Sequence, residues 1–69
     1  MDMPEPDEWI KFEDAAKICG VTKQMIYLAS ARGRKNRSGS FVRLEAWKTV
    51  AGWVTTQEAL RRFHLRLNG

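Results

Sequence analysis

Residues 12–33, FEDAAKICGVTKQMIYLASARG, decide how the rest of the chain is read. Ala15, Ala16 and Ile18 are the small or apolar positions of a first helix over residues 13–19. Glu13 and Asp14 sit in its first turn, where carboxylates favour the positive end of the helix dipole. Gly20 can enter the left-handed conformation that ends such a helix without steric cost. Thr22 is a good N-cap for a second helix over residues 23–32, because its hydroxyl accepts from an otherwise unpaired backbone N–H. Met25, Ile26 and Ala29 recur at helical spacing and predict an inward face, with Lys23, Gln24 and Tyr27 opposite. Two short helices across a tight Gly-containing turn predict a helix-turn-helix unit. The second helix of such a unit is the one that can enter a DNA major groove.

The whole chain has 69 residues, enough for one small domain. A domain of this size buries only ~60% of its unfolded surface. Cys19 is the single cysteine, so no disulfide framework is available, and a reducing compartment is expected. The N-terminal residues MDMPEPDE are acidic and carry no apolar signal-peptide core, and no apolar run is long enough to span a bilayer. The expected location is therefore cytoplasmic, with no membrane partner.

The net charge is +4, but its distribution is more telling. Asp2, Glu5, Asp7 and Glu8 crowd the first eight positions. From Trp9 onward twelve Lys and Arg face four acids, a local charge of +8, which points to a polyanion partner. Residues 1–8, with two prolines and four acids, are expected as a flexible acidic tail, leaving residues 9–69 as the folded domain.

Outward from the central stretch, Trp9, Ile10, Lys11 and Phe12 form a short extended lead-in. Residues 33–40, GRKNRSGS, read as a loop. With Arg32 they place four cations, Arg32, Arg34, Lys35 and Arg37, in six residues, suited to phosphate contacts. Residues 41–50 read as one strand in which Val42, Leu44 and Ala46 alternate with Arg43, Glu45 and Trp47. Ala51 and Gly52 mark a turn, and Trp53 and Val54 begin a return strand, so a β-hairpin wing is expected with Lys48 near its tip. Thr55 and Glu58 fit a capping box for a last helix. Its core stripe would be Ala59, Leu60, Phe63 and Leu67, with Arg61, Arg62 and Arg66 mostly elsewhere and Asn68 and Gly69 ending it.

The order of these features resembles the small winged-helix domains of the excisionase and MerR-like group. EDAAKICGVTKQMIY carries the resemblance for the helix-turn-helix, and GWVTTQEALRRF for the wing exit and last helix. It covers nearly all of residues 9–67. It implies an α+β fold, a small winged helix-turn-helix of three helices and a β-hairpin wing. It also implies sequence-specific double-stranded DNA binding, as a recombination directionality factor or a transcriptional regulator. By position, Thr22, Lys23, Gln24 and Tyr27 would belong to the recognition helix, and Lys48 to the wing. The backbone contacts expected besides Lys48 are Arg32, Arg34, Lys35, Arg37, Arg61 and Arg62. The chain departs from the group at Lys11, where a hydroxyl cap is usual, and at Leu28, where a basic residue is frequent. With no effector domain or dimerisation coiled coil after the last helix, a drug- or metal-sensing activator is not implied.

An alternative of another class is a protein-interaction module on the same fold, with Leu28, Trp47, Trp53 and Leu65 as apolar anchors. An enzyme is not expected, since Cys19 and His64 stand alone and no paired carboxylates or phosphate-cradling loop assemble a catalytic site. One Cys and one His cannot build a structural zinc site, so no metal or cofactor is expected. Useful occupancy of DNA by so small a module would call for copies on adjacent sites, or for a recombinase or other protein partner.

Overall fold

The computed structural model describes residues 3–68. It is a small α+β fold with three α-helices among the described residues, in the order β1 (Ile10–Lys11), α1 (Phe12–Cys19), α2 (Lys23–Ala31), β2 (Arg34–Lys35), β3 (Phe41–Val42), β4 (Trp47–Thr49), β5 (Gly52–Thr55) and α3 (Gln57–Asn68). Strands β1, β5 and β4 form an antiparallel sheet with β5 in the middle, while β2 and β3 pair separately. None of the three helices is long and apolar enough to cross a membrane.

The turn between α1 and α2 is built as its residues dictate. Gly20 takes a φ of 70°. Val21 N–H reaches back to Ala16 C=O at 2.9 Å and Gly20 N–H to Lys17 C=O at 3.3 Å, the paired bonds that satisfy the last carbonyls of a helix. Thr22 then caps α2, its hydroxyl accepting from Met25 N–H at 3.2 Å. At the start of α1, Lys11 occupies the cap position and makes no side-chain cap bond.

The inward face of α1 differs from the expected one. Phe12, Ala15 and Ala16 are buried and Cys19 packs behind them, while Ile18 is 66% exposed. The helix begins one residue earlier than the apolar spacing suggested. The buried stripe runs i, i+3, i+4, i+7 from Phe12 to Cys19, and Ile18 falls on another face of the helix. On α2, Ile26 and Ala29 are buried, whereas Met25, expected inward, lies at the exposed edge of that stripe. Ala59, Leu60 and Phe63 of α3 complete one core with these residues and with Leu44.

The expected single strand over 41–50 is two strands with a break. At the break Leu44 turns into the core, and its N–H donates to Ala29 C=O at the end of α2 (3.0 Å). The backbone there is tied to a helix end instead of to a sheet neighbour. Leu44 is buried and Val42 and Ala46 pack on the core as expected, but Trp47, expected on the opposite side of the strand, packs on the same core. The turn of the β4–β5 hairpin falls one residue earlier than expected, at Val50 and Ala51, with Gly52 opening β5 opposite Thr49.

Residues 33–40, expected as a loop, form most of the β2–β3 hairpin. Asn36 closes it, its N–H donating to Ser40 C=O (2.8 Å) and its side-chain oxygen accepting from Ser40 N–H (2.9 Å). Gly33 enters the hairpin at a φ of 85°, and a Cβ there would stand 2.7 Å from Val42 C=O, so both the dihedral and the space require glycine. The N-cap of α3 is Thr56, whose hydroxyl accepts from Ala59 N–H (3.0 Å). Thr55, expected in that role, is the buried end of β5 and donates its hydroxyl to Glu45 C=O (2.8 Å).

Of residues 1–8, expected as a flexible acidic tail, Met1 and Asp2 lie outside the described residues, as does Gly69. The remainder carries local order that the expectation did not include. Pro6–Glu8 form a 3-10 turn, Glu5 N–H donates to the Glu8 carboxylate (3.2 Å), and the Trp9 indole N–H donates to Pro4 C=O (3.0 Å).

Candidate nucleic-acid interface

The first turn of α2 presents Lys23 and Gln24, and Tyr27 follows one turn later; all three are exposed. They are brought together. With Lys11, Phe12, Glu13 and the hairpin residues Ala51, Gly52 and Trp53, they line one groove. One wall of the groove is α2 and the other is the β4–β5 turn. Thr22 also lies exposed, but its hydroxyl is committed to the cap, so its part is to hold that first turn in shape.

Trp53 stands at the hairpin wall. Its ring stacks on Phe12, with centroids 6.4 Å apart and planes 23° from parallel. Lys48, its cross-strand partner, holds its Nζ 5.5 Å from the Trp53 centroid. The cation expected at the hairpin tip is thus parked on an aromatic ring, an interaction worth about 0.5–1 kcal/mol at exposed sites. A second cavity continues past Tyr27 along α2, lined by Ser30, Arg43, Trp53 and Arg66 among others. Arg43 and Arg66 were not singled out as contacts from the sequence. Arg43 alternates with core residues in an apparent strand, and only the inward turn of Leu44 brings it beside α2.

The cationic hairpin is docked on the end of α3. Asn36 donates its side-chain amide to Arg66 C=O (3.2 Å), and Arg37 N–H donates to Leu67 C=O (3.3 Å). Both carbonyls lie in the last turn of α3, where no helical partner is available. The turn is thereby anchored while the side chains of Arg34, Lys35 and Arg37 stay exposed. Arg32 is exposed at the C-terminal end of α2, away from the Lys23 turn.

Arg61 and Arg62 are placed elsewhere. They line a different cavity, whose walls include Glu5, Asp7, Glu8, Glu45 and Glu58, five carboxylates against two guanidiniums. Arg62 Nε donates to Glu45 Oε1 at 2.8 Å and Nη1 lies 3.3 Å from Glu58 Oε1. The hydrogen bond to Glu45 holds the Arg62 guanidinium more firmly protonated than usual. Among the apolar anchors considered for a protein partner, Leu28 is half-buried and Trp47 packs on the core, while Trp53 and Leu65 are exposed. Burial pushes the Cys19 thiol above its ordinary pKa.

Against known proteins, the chain matches no family model, no curated protein and no solved structure.

Proposed function

We propose that the chain is a winged helix-turn-helix module that binds double-stranded DNA sequence-specifically, as a cytoplasmic excisionase-like recombination factor or transcriptional regulator. The observation that carries the reading is the gathering of Lys23, Gln24 and Tyr27 into one exposed groove at the capped start of α2. An α-helix fits the major groove of B-DNA, and these side-chain types match base edges there: an amide pairs with adenine N6 and N7, and a lysine with guanine N7 and O6. The docked β2–β3 hairpin supplies Arg34, Lys35 and Arg37 for the phosphates, and Arg43 lies beside α2 for the same purpose. The net-negative cavity that holds Arg61 and Arg62 is unsuited to phosphate, so these two are set aside as contacts. One such module buries about 600–1,000 Å² on DNA, so copies on adjacent sites or a protein partner would raise occupancy.

Titration of labelled duplex at two salt concentrations, followed by selection of bound sequences from random duplexes, tests the reading. Affinity is expected to fall steeply with salt, and Lys23→Ala with Gln24→Ala to erase site preference while leaving salt-sensitive binding. Absence of binding at low salt, or an unchanged preference in the double variant, refutes it.

A further inference from the structure

The groove beside α2 is not uniformly polar. Lys23 and Gln24 offer hydrogen bonds on one wall, but Tyr27 (49% exposed) and Trp53 (43% exposed) give it an aromatic strip. The same two rings also line the next cavity along α2, so the strip continues from one to the other. Trp53 is fixed from behind by its stack on Phe12. Its ring surface is already engaged by Phe12 and by the Lys48 ammonium, which favours side-on apolar contact over stacking on a base. Glu13 lines the groove too, and a carboxylate there repels phosphate.

We infer that this aromatic strip reads thymine methyl groups, so that the module selects A·T pairs where Tyr27 and Trp53 face the major groove. The inference rests on the DNA-binding reading and names what that site recognises. Thymine is the base that projects a methyl into the major groove, and its partner adenine presents N7 and N6 beside it. Gln24, in the same groove, carries the amide that pairs with that adenine edge. An amide next to an apolar strip therefore matches both halves of one A·T pair, in a groove of ≈ 460 Å³.

The test replaces thymine by uracil, which removes the methyl and leaves every hydrogen-bonding group in place. The tightest duplex from the random selection is resynthesised with uracil at each thymine in turn. At one or two positions the unaltered protein is expected to lose about fourfold in affinity, the worth of one buried methyl-sized group. Tyr27→Ala and Trp53→Ala are expected to bind the thymine and uracil duplexes equally. Because the first comparison uses the unaltered chain, it stands even if Trp53→Ala fails to fold. Equal binding of both duplexes by the unaltered protein, or selected sites without thymine, overturns the inference and leaves DNA binding intact. Failure to bind any duplex at low salt sinks the reading beneath it.

Discussion

On the proposed DNA-binding reading, replacing Arg43 and Arg61 separately by alanine should have unequal effects on duplex affinity, and the size of the difference follows from the salt dependence of phosphate contacts. Arg43 lies beside Tyr27 and Ser30 of α2, while Arg61 lies in a cavity ringed by Glu5, Asp7, Glu8, Glu45 and Glu58. A phosphate brought to Arg61 meets those carboxylates, whereas one brought to Arg43 meets of them only Glu45, which Arg62 already pairs. Each neutralised phosphate contributes about 0.9 to the slope of log affinity against log salt. Taking Arg34, Lys35, Arg37 and Arg43 as the phosphate contacts, the slope is about −3.6, or roughly a 150-fold loss between about 50 and about 200 mM salt. Arg43→Ala should lower the slope to about −2.7 and the loss to roughly 40-fold. Arg61→Ala should leave both near the parent values. Fluorescence anisotropy of a labelled duplex, titrated at four or so salt concentrations, resolves a change of this size. A reduced slope for Arg61→Ala with an unchanged one for Arg43→Ala would show that the DNA lies against the other face.

Three further outcomes are expected. Leu44→Ala removes a side chain 2% exposed at the break between β3 and β4, and should cost about 2–5 kcal/mol in urea unfolding. Leu65→Ala, at a position 60% exposed, should stay within about 0.5 kcal/mol, and equal midpoints for the two would refute the placement of Leu44. Gly20→Ala, with open space around its Cβ, should lose only the left-handed penalty of about 1–2 kcal/mol. Gly33→Ala should lose clearly more, since the Cβ meets the β3 backbone; a smaller loss at Gly33 in thermal melts would contradict the hairpin geometry. Since burial raises the Cys19 pKa, its thiolate fraction at pH 8 is below that of an unfolded chain, and the stability this gives is present below the unfolded pKa and fades as pH rises through the folded one. Iodoacetamide at pH 8 should accordingly label the native protein more slowly than the urea-unfolded one, and equal rates would argue against a sheltered thiol.

The sequence by itself determined the local grammar of this protein. Gly20 as helix terminator, Thr22 as cap, and an α2 with Ile26 and Ala29 inward and Lys23, Gln24 and Tyr27 outward all follow from spacing and side-chain chemistry within one stretch of chain. Those properties depend on neighbours a few residues away, so a linear reading reaches them. Errors arose even there: the buried stripe of α1 is Phe12, Ala15, Ala16 and Cys19, which leaves Ile18 outward, and starting α3 at Gln57 gave the cap to Thr56. Tertiary structure alone decided which distant segments meet. The cationic stretch became a hairpin because Asn36 and Arg37 found the last carbonyls of α3, thirty residues on in the case of Asn36 and Arg66. Arg62 went to Glu45, seventeen residues away, and Leu44 drew the chain against α2, which placed Arg43 there. Free carbonyls, unpaired carboxylates and open core space take whichever partner the folded chain carries within reach, and that reach is a property of three dimensions.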